Sequence, residues 1–461
     1  MHDERDAKRQ LVIQVLLSAL LLAVVAPNPL RAFQADGNGK PQKPDSPQEA
    51  DPPVPPLEPA SSAASLDRSI KFFRQRIEKN PKIVLNYIYL ANYYVRKAKD
   101  HGDESCYALA QDVLEKALEL QPNFPAALFA LAHVQCSRHQ FREGLATAKK
   151  ALTKDPDNLD TLAVLSDAQM ELGEYEAAMA TLAEIDGKVK IPSPGLWVRQ
   201  AHLAEVKGQT EVVLSLLQRA EKQARKDSRG EPSTQTAWYQ IRLGQFHLEH
   251  GQLDEANRLF EEAVASQPDY FMARAALADL RVKQGRFDDA LTEYRRTISI
   301  AADPLFFMAV GDIHAKLGRA DEARQQYAQA EKLILESGAT PAEFSRELSQ
   351  FYSDRNLKPE RALELAKTDL TFRQDIHGHD TLAWALYRNE QFSEAAKAIE
   401  QALRWGSKEA KLHYHAGMIY WRLGKADQAR MHLEQALKIN SNFSLLEADE
   451  ARRVLAELKK S

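Results

Sequence analysis

Arg242 to Pro268 reads RLGQFHLEHGQLDEANRLFEEAVASQP and places two glycines, Gly244 and Gly251, among residues that otherwise favour helix. Glycine inside a helix costs roughly 1 kcal/mol relative to alanine, so each needs a structural reason. Leu243 and Phe246, then Leu253, Ala256, Phe260 and Ala263, recur at three- and four-residue steps, the pattern of helices that bury one face. The phase breaks at Gly251. The spacing predicts two helices joined by a turn at Gly251-Gln252, the second with Asp254 as its N-cap and stopped by Pro268. On this reading Gly251 makes the turn, and Gly244 makes room where two helices cross.

The same punctuation returns along the chain at intervals of about 34 residues. Leu131-Ala132, Gly144 and Ala151 carry it between Pro122 and Pro156, and Leu165-Ser166, Gly173, Tyr175 and Ala178 carry it next. Leu277-Ala278, Gly285, Ala290 and Tyr294 follow, then Gly311, Gly318, Ala323 and Tyr327, and finally Ala416-Gly417, Gly424, Ala429 and Leu433. These residues resemble the tetratricopeptide repeat (TPR) family, whose unit is helix A, turn, helix B, with small residues where the two helices cross. The resemblance implies ten units, clear near 125–158, 159–192, 237–270, 271–303, 304–337, 376–409 and 410–443. Units near 84–122, 194–227 and 342–375 diverge, the last having no turn glycine, and Glu390 stands where the unit at 376–409 should carry one. A partial unit, Leu66 to Pro81, precedes them, and residues 444–461 read as a capping helix. Each hairpin exposes apolar surface on both flanks and must stack on its neighbours. The expected fold class is therefore all-α, a right-handed α-solenoid with a concave groove, occupying residues 66–443.

The N-terminal part is of another kind. Lys8 and Arg9 precede the apolar run LVIQVLLSALLLAVVA, Leu11 to Ala26, which is the basic edge and core of an export signal. The run is shorter than the roughly 20 residues that span a bilayer, so residues 1–35 read as a signal peptide, with an uncleaved signal anchor as the alternative. Residues 36–65 are rich in proline and poor in large apolar side chains, and read as a disordered linker. Localisation is expected to be the periplasm or cell envelope, with membrane contact only through the N-terminal segment if it is retained.

Composition narrows the function. The chain has 461 residues, 44% of them hydrophobic and 27% charged, with a net charge of −4 and no strongly basic block, so no electrostatic footprint for nucleic acid is present. Phosphate loops, GxSxG elbows, CxxC pairs and HExxH motifs are missing, and the repeats leave no length for a catalytic domain. The expectation is a non-enzymatic protein without a cofactor. His377 and His379, with His413 and His415, are the one concentration of metal-ligating side chains, but residues two apart on a helix point about 200° apart and cannot chelate from one face. They read as capping and groove-lining polar residues, and no metal site is expected.

The resemblance implies a partner groove lined by fixed positions of helix A. Transferred to this chain, those positions hold Trp238 and Met272 in the middle, and Trp384, Tyr387, Arg388, Lys411, Tyr414, Trp421 and Arg422 near the C-terminus. Aromatic side chains interleaved with arginine suit a peptide or partner helix, because they bury a large area at little entropic cost; the alternative is that some of these rings, Trp384 especially, pack between helices. The family's carboxylate clamp for chaperone tails is not expected, since Ile88 stands where its lysine belongs. In a TPR stack the start of one helix B lies beside the end of the next helix A, so in an exported chain the resemblance implies a disulfide between Cys106 and Cys136, the alternative being two ordinary buried thiols. The function expected is a protein-protein interaction scaffold of the envelope; the alternative is an accessory or glycan-binding subunit assisting an envelope enzyme or polysaccharide machinery.

Overall fold

The structure, a computed structural model, describes residues 63–336 and 340–459. The export segment and most of the linker lie outside the described residues. Helix α1 (Ala63–Lys79) starts within the stretch expected to be linker, and buries Leu66, Ile70 and Phe73 against the first hairpin. Five hairpins follow: α2 (Val84–His101) with α3 (Ser105–Leu120), α4 (Pro125–Ser137) with α5 (Phe141–Leu152), α6 (Leu159–Glu171) with α7 (Tyr175–Lys188), α8 (Pro194–Val206) with α9 (Thr210–Asp227), and α10 (Thr234–Glu249) with α11 (Leu253–Ser266). Five more complete the array: α12 (Phe271–Lys283) with α13 (Phe287–Ile300), α14 (Pro304–Lys316) with α15 (Ala320–Glu336), α16 (Pro341–Asp354) with α17 (Pro359–Phe372), α18 (Ile376–Arg388) with α19 (Phe392–Leu403), and α20 (Ala410–Arg422) with α21 (Ala426–Ile439). Helix α22 (Ala448–Leu458) closes the end, burying Ala451, Val454 and Leu458. The solenoid is all-α.

Each A-to-B turn carries at least one residue in the left-handed region. Seven of the turns use a glycine, Gly251 with φ +72° among them, and the other three use His139 at +58°, Asn356 at +52° with Lys358 at +42°, and Glu390 at +58°. Asn356 supplies the turn in the divergent hairpin of α16 and α17. Three A-helix glycines face large side chains of helix B: a Cβ on Gly244 would enter the Phe260 ring, one on Gly311 the Tyr327 ring, and one on Gly417 would lie 2.6 Å from Leu433. Around Gly244 the local reading needs one correction. The residue preceding α11 is Gln252, which makes no side-chain cap, and Asp254 lies inside the first turn, where its charge favours the positive end of the helix dipole.

The superhelix winds tightly enough for its successive turns to touch. The A-to-B turn of one hairpin meets the loop that opens the hairpin six places further along. Thus Gly102 lies against Ala301, Gly173 against the backbone of Gln374, Gly208 against the carbonyl of Gly406, and Asn440 donates to the carbonyls of Leu248 and Glu249 at 3.1 Å. Lys283 donates to the carbonyl of Phe443 at 2.7 Å, and Lys316 pairs with Asp449 of α22 at 2.9 Å.

Candidate functional site

Where one superhelical turn meets the next lies a buried network of charges, drawn from α16, α17 and the loop that follows α17. Arg346 on α16 bonds Asp369 at 2.9 Å and Asp375 at 3.0 Å, and Arg373 bonds Asp369 at 2.7 Å and Glu347 at 3.2 Å. The remaining arm of Arg373 reaches His139 of the second hairpin at 2.8 Å. Arg373 and Glu347 are wholly enclosed, so these charges are held by each other rather than by water. Burial pushes the Glu347 carboxyl up to about 7 against the opposing pull of Arg373. Burial also works against ionising Asp375, but the Arg346 guanidinium outweighs it and holds that carboxyl well below its ordinary range. Across the same seam Gln374 N donates to the Glu171 carbonyl at 3.1 Å, and Ile376 N donates to the Tyr175 hydroxyl at 2.8 Å.

A cavity of about 80 Å³ opens beside this network, lined by Glu171, His202, Glu205, Arg242, Asp375, His377 and Glu409. Arg242 pairs with Glu205 but has Nη1 unpartnered, and Glu171 has Oε2 unpartnered. A volume of this size holds a few waters and excludes a peptide.

Most of the expected groove residues are turned into the helix packing. Trp384 (1% exposed) stacks on Tyr387 at 4.5 Å and on His415 at 4.1 Å, while Tyr414 (0%) donates to Glu450 at 2.7 Å. Trp238 packs edge-on to Tyr239, and Met272 accepts from the Tyr270 hydroxyl at 3.0 Å. These five, Trp238, Met272, Trp384, Tyr387 and Tyr414, are buried and do not line an accessible groove. Tight winding brings neighbouring A helices together, so rings that would face an open channel fill the space between helices. Arg388 is half-buried over the Trp384 ring, bonded to the Ser353 carbonyl, and Lys411 pairs with Asp354 at 2.7 Å. Trp421 stays half-buried and Arg422 exposed, the latter over Phe392 at 4.3 Å.

Cys106 and Cys136 are both buried and free, which overturns the expected disulfide. Cys136 points its sulfur at Gly144 of its own hairpin, while Cys106 belongs to the apolar cluster of α1 to α4. Burial pushes the Cys106 thiol up to about 12, so it is unreactive as well as unpaired. The four histidines separate into distinct settings: His377 contacts Glu409 at 3.0 Å, His413 contacts His432 at 2.9 Å, His415 contacts Asp380 at 2.8 Å, and His379 is half-buried.

Stacked hairpins with small residues at every crossing define a helical-repeat protein. Its repeat is the tetratricopeptide repeat: two tetratricopeptide-repeat family models match it, one at residues 137–189 and 247–313, the other at 381–444. The chain is a tetratricopeptide-repeat protein. It is 25% identical over 198 residues to tetratricopeptide repeat protein 8 of Caenorhabditis elegans, covering 43% of this chain and 37% of that one. It is 24% identical over 175 residues to cellulose synthase operon protein C of Pseudomonas fluorescens (strain SBW25), covering 38% of this chain and 13% of that one. It thus spans little more than a third of the first of these relatives and much less of the second. The Cut9-Hcn1 hetero-tetramer of the APC/C aligns over 86% of this chain and 94% of the other, at 13% identity and a TM-score of 0.36. Proteins of this family act as protein-interaction scaffolds.

Proposed function

We propose that this chain is an exported, non-enzymatic scaffold of the cell envelope or periplasm that holds a peptide or helical segment of a partner protein at the C-terminal end of its solenoid. The observation that carries the choice of site is the pair Trp421 and Arg422, which stays accessible while the aromatic residues deeper in the same helices are buried. Arg422 lies over Phe392 and Arg453 over Trp421, so rings and guanidinium groups alternate on one surface. Such a surface suits acidic and apolar groups of a partner. Export rests on Lys8, Arg9 and the apolar run Leu11–Ala26; among the described residues no helix is long and apolar enough to cross a membrane.

A photo-crosslinking residue at position 422 should trap a defined partner in the envelope fraction, and the same residue at exposed Arg324 should not. The reading fails if the Trp421→Ala, Arg422→Ala double variant retains that partner at unchanged affinity, or if the protein stays in the cytoplasmic fraction. The likeness to cellulose synthase operon protein C favours a second reading, an accessory role beside polysaccharide machinery. Bound polysaccharide in place of a trapped protein would select it.

A further inference from the structure

Asp354 ends α16, His415 lies in the middle of α20, and Glu447 sits at the start of α22. One donor atom from each lies within 4.8 Å of the other two. Each residue also has one buried polar atom without a hydrogen-bond partner, Asp354 Oδ1, His415 Nε2 and Glu447 Oε1, although unpaired buried polar atoms are costly. His415 is 2% exposed and Glu447 3%.

We propose that Asp354, His415 and Glu447 form a binding site for a divalent first-row transition-metal ion of the zinc type. The far side of two of the three ligands is already fixed, which aims the near side inward. Asp380 accepts from Nδ1 of His415 at 2.8 Å, setting the tautomer that leaves Nε2 as a lone-pair donor. Lys411 holds Oδ2 of Asp354 at 2.7 Å and leaves Oδ1 as the oxygen without a partner. The Trp384 ring, stacked 4.1 Å from the imidazole, fixes its plane.

His415 Nε2 and Glu447 Oε1 are 3.8 Å apart, close to the edge of about 3.4 Å that ligands at zinc distances span, so a small closure completes the set. One nitrogen and two oxygens with a fourth position for water make a borderline donor set, which selects zinc-like ions over calcium or magnesium.

Titration of the full chain with zinc chloride should give one site that saturates at one ion per chain. Asp380→Asn should weaken it about 10- to 100-fold, and Glu447→Gln should abolish it while His379→Gln leaves it unchanged. X-ray absorption on the zinc-loaded wild-type protein is independent of whether any variant folds, and should read one imidazole with oxygen ligands. Absence of binding, two imidazole ligands as from the His413–His432 pair, or binding unaffected by Glu447→Gln in a folded protein overturns the proposal.

Discussion

At Gly244 the cost of adding a side chain is set by Phe260, whose ring occupies the place a Cβ would take. Gly244→Leu is expected to destabilise by about 1–3 kcal/mol through overpacking, measured by urea unfolding, and Phe260→Ala on the same background should recover part of it. Parent-like stability would contradict the crossing. This position was legible because a small residue amid helix-formers at a repeating interval has few explanations. The cysteines were not: their separation follows from which way each side chain points, and Cys136 faces Gly144 across its own hairpin rather than Cys106. The aromatic residues misled for a related reason. Position within helix A says that Trp384 and Tyr414 point inward, but whether inward means a channel or a filled interior depends on how tightly the helices wind.

At the scale of the element, α16 shows how a divergent hairpin takes on a distinct task. Its sequence carries Arg346 and Glu347 in the middle of helix A, and those charges join Asp369, Arg373 and Asp375 in the enclosed network. Divergence from the repeat was readable in the sequence, and its purpose was not, because Arg373 finds His139 more than two hundred residues away. Glu347 has a testable consequence. Its pKa is raised by burial to about 7, so its contribution to stability is full below the unfolded-state value near 4.3 and is lost as pH rises through 7. Glu347→Gln imitates the protonated form, so the stability difference between variant and wild type should shift in favour of the variant between pH 4 and 8. Denaturant midpoints taken across that range check it; a difference independent of pH would show that burial does not raise the Glu347 carboxyl.

At the scale of the whole molecule, contact between successive turns separates two kinds of turn glycine. Gly208 and Gly285 share the left-handed conformation, at φ +63° and +72°, but a Cβ on Gly208 would strike the Gly406 carbonyl, whereas one on Gly285 meets nothing within 4 Å. Gly208→Ala should therefore open the superhelix and raise the radius of gyration in small-angle scattering with helicity kept. Gly285→Ala should cost only the local strain of about 1 kcal/mol at unchanged dimensions. Equal radii for the two variants would mean that the turns do not hold each other. The solenoid class follows from the repeat alone, and its closure does not, since the pitch is set by contacts between residues far apart in sequence.

That closure changes how the array can grow. In an open solenoid a hairpin can be lost or duplicated anywhere, because each unit touches only its neighbours. Here Gly102, Gly173 and Gly208 each dock on a loop six hairpins onward, so removing one internal hairpin would slide every later loop past its partner at once. Gene-level gain or loss of single repeats in the middle of this chain would be paid for across the whole seam, leaving the two ends as the places where its length can drift.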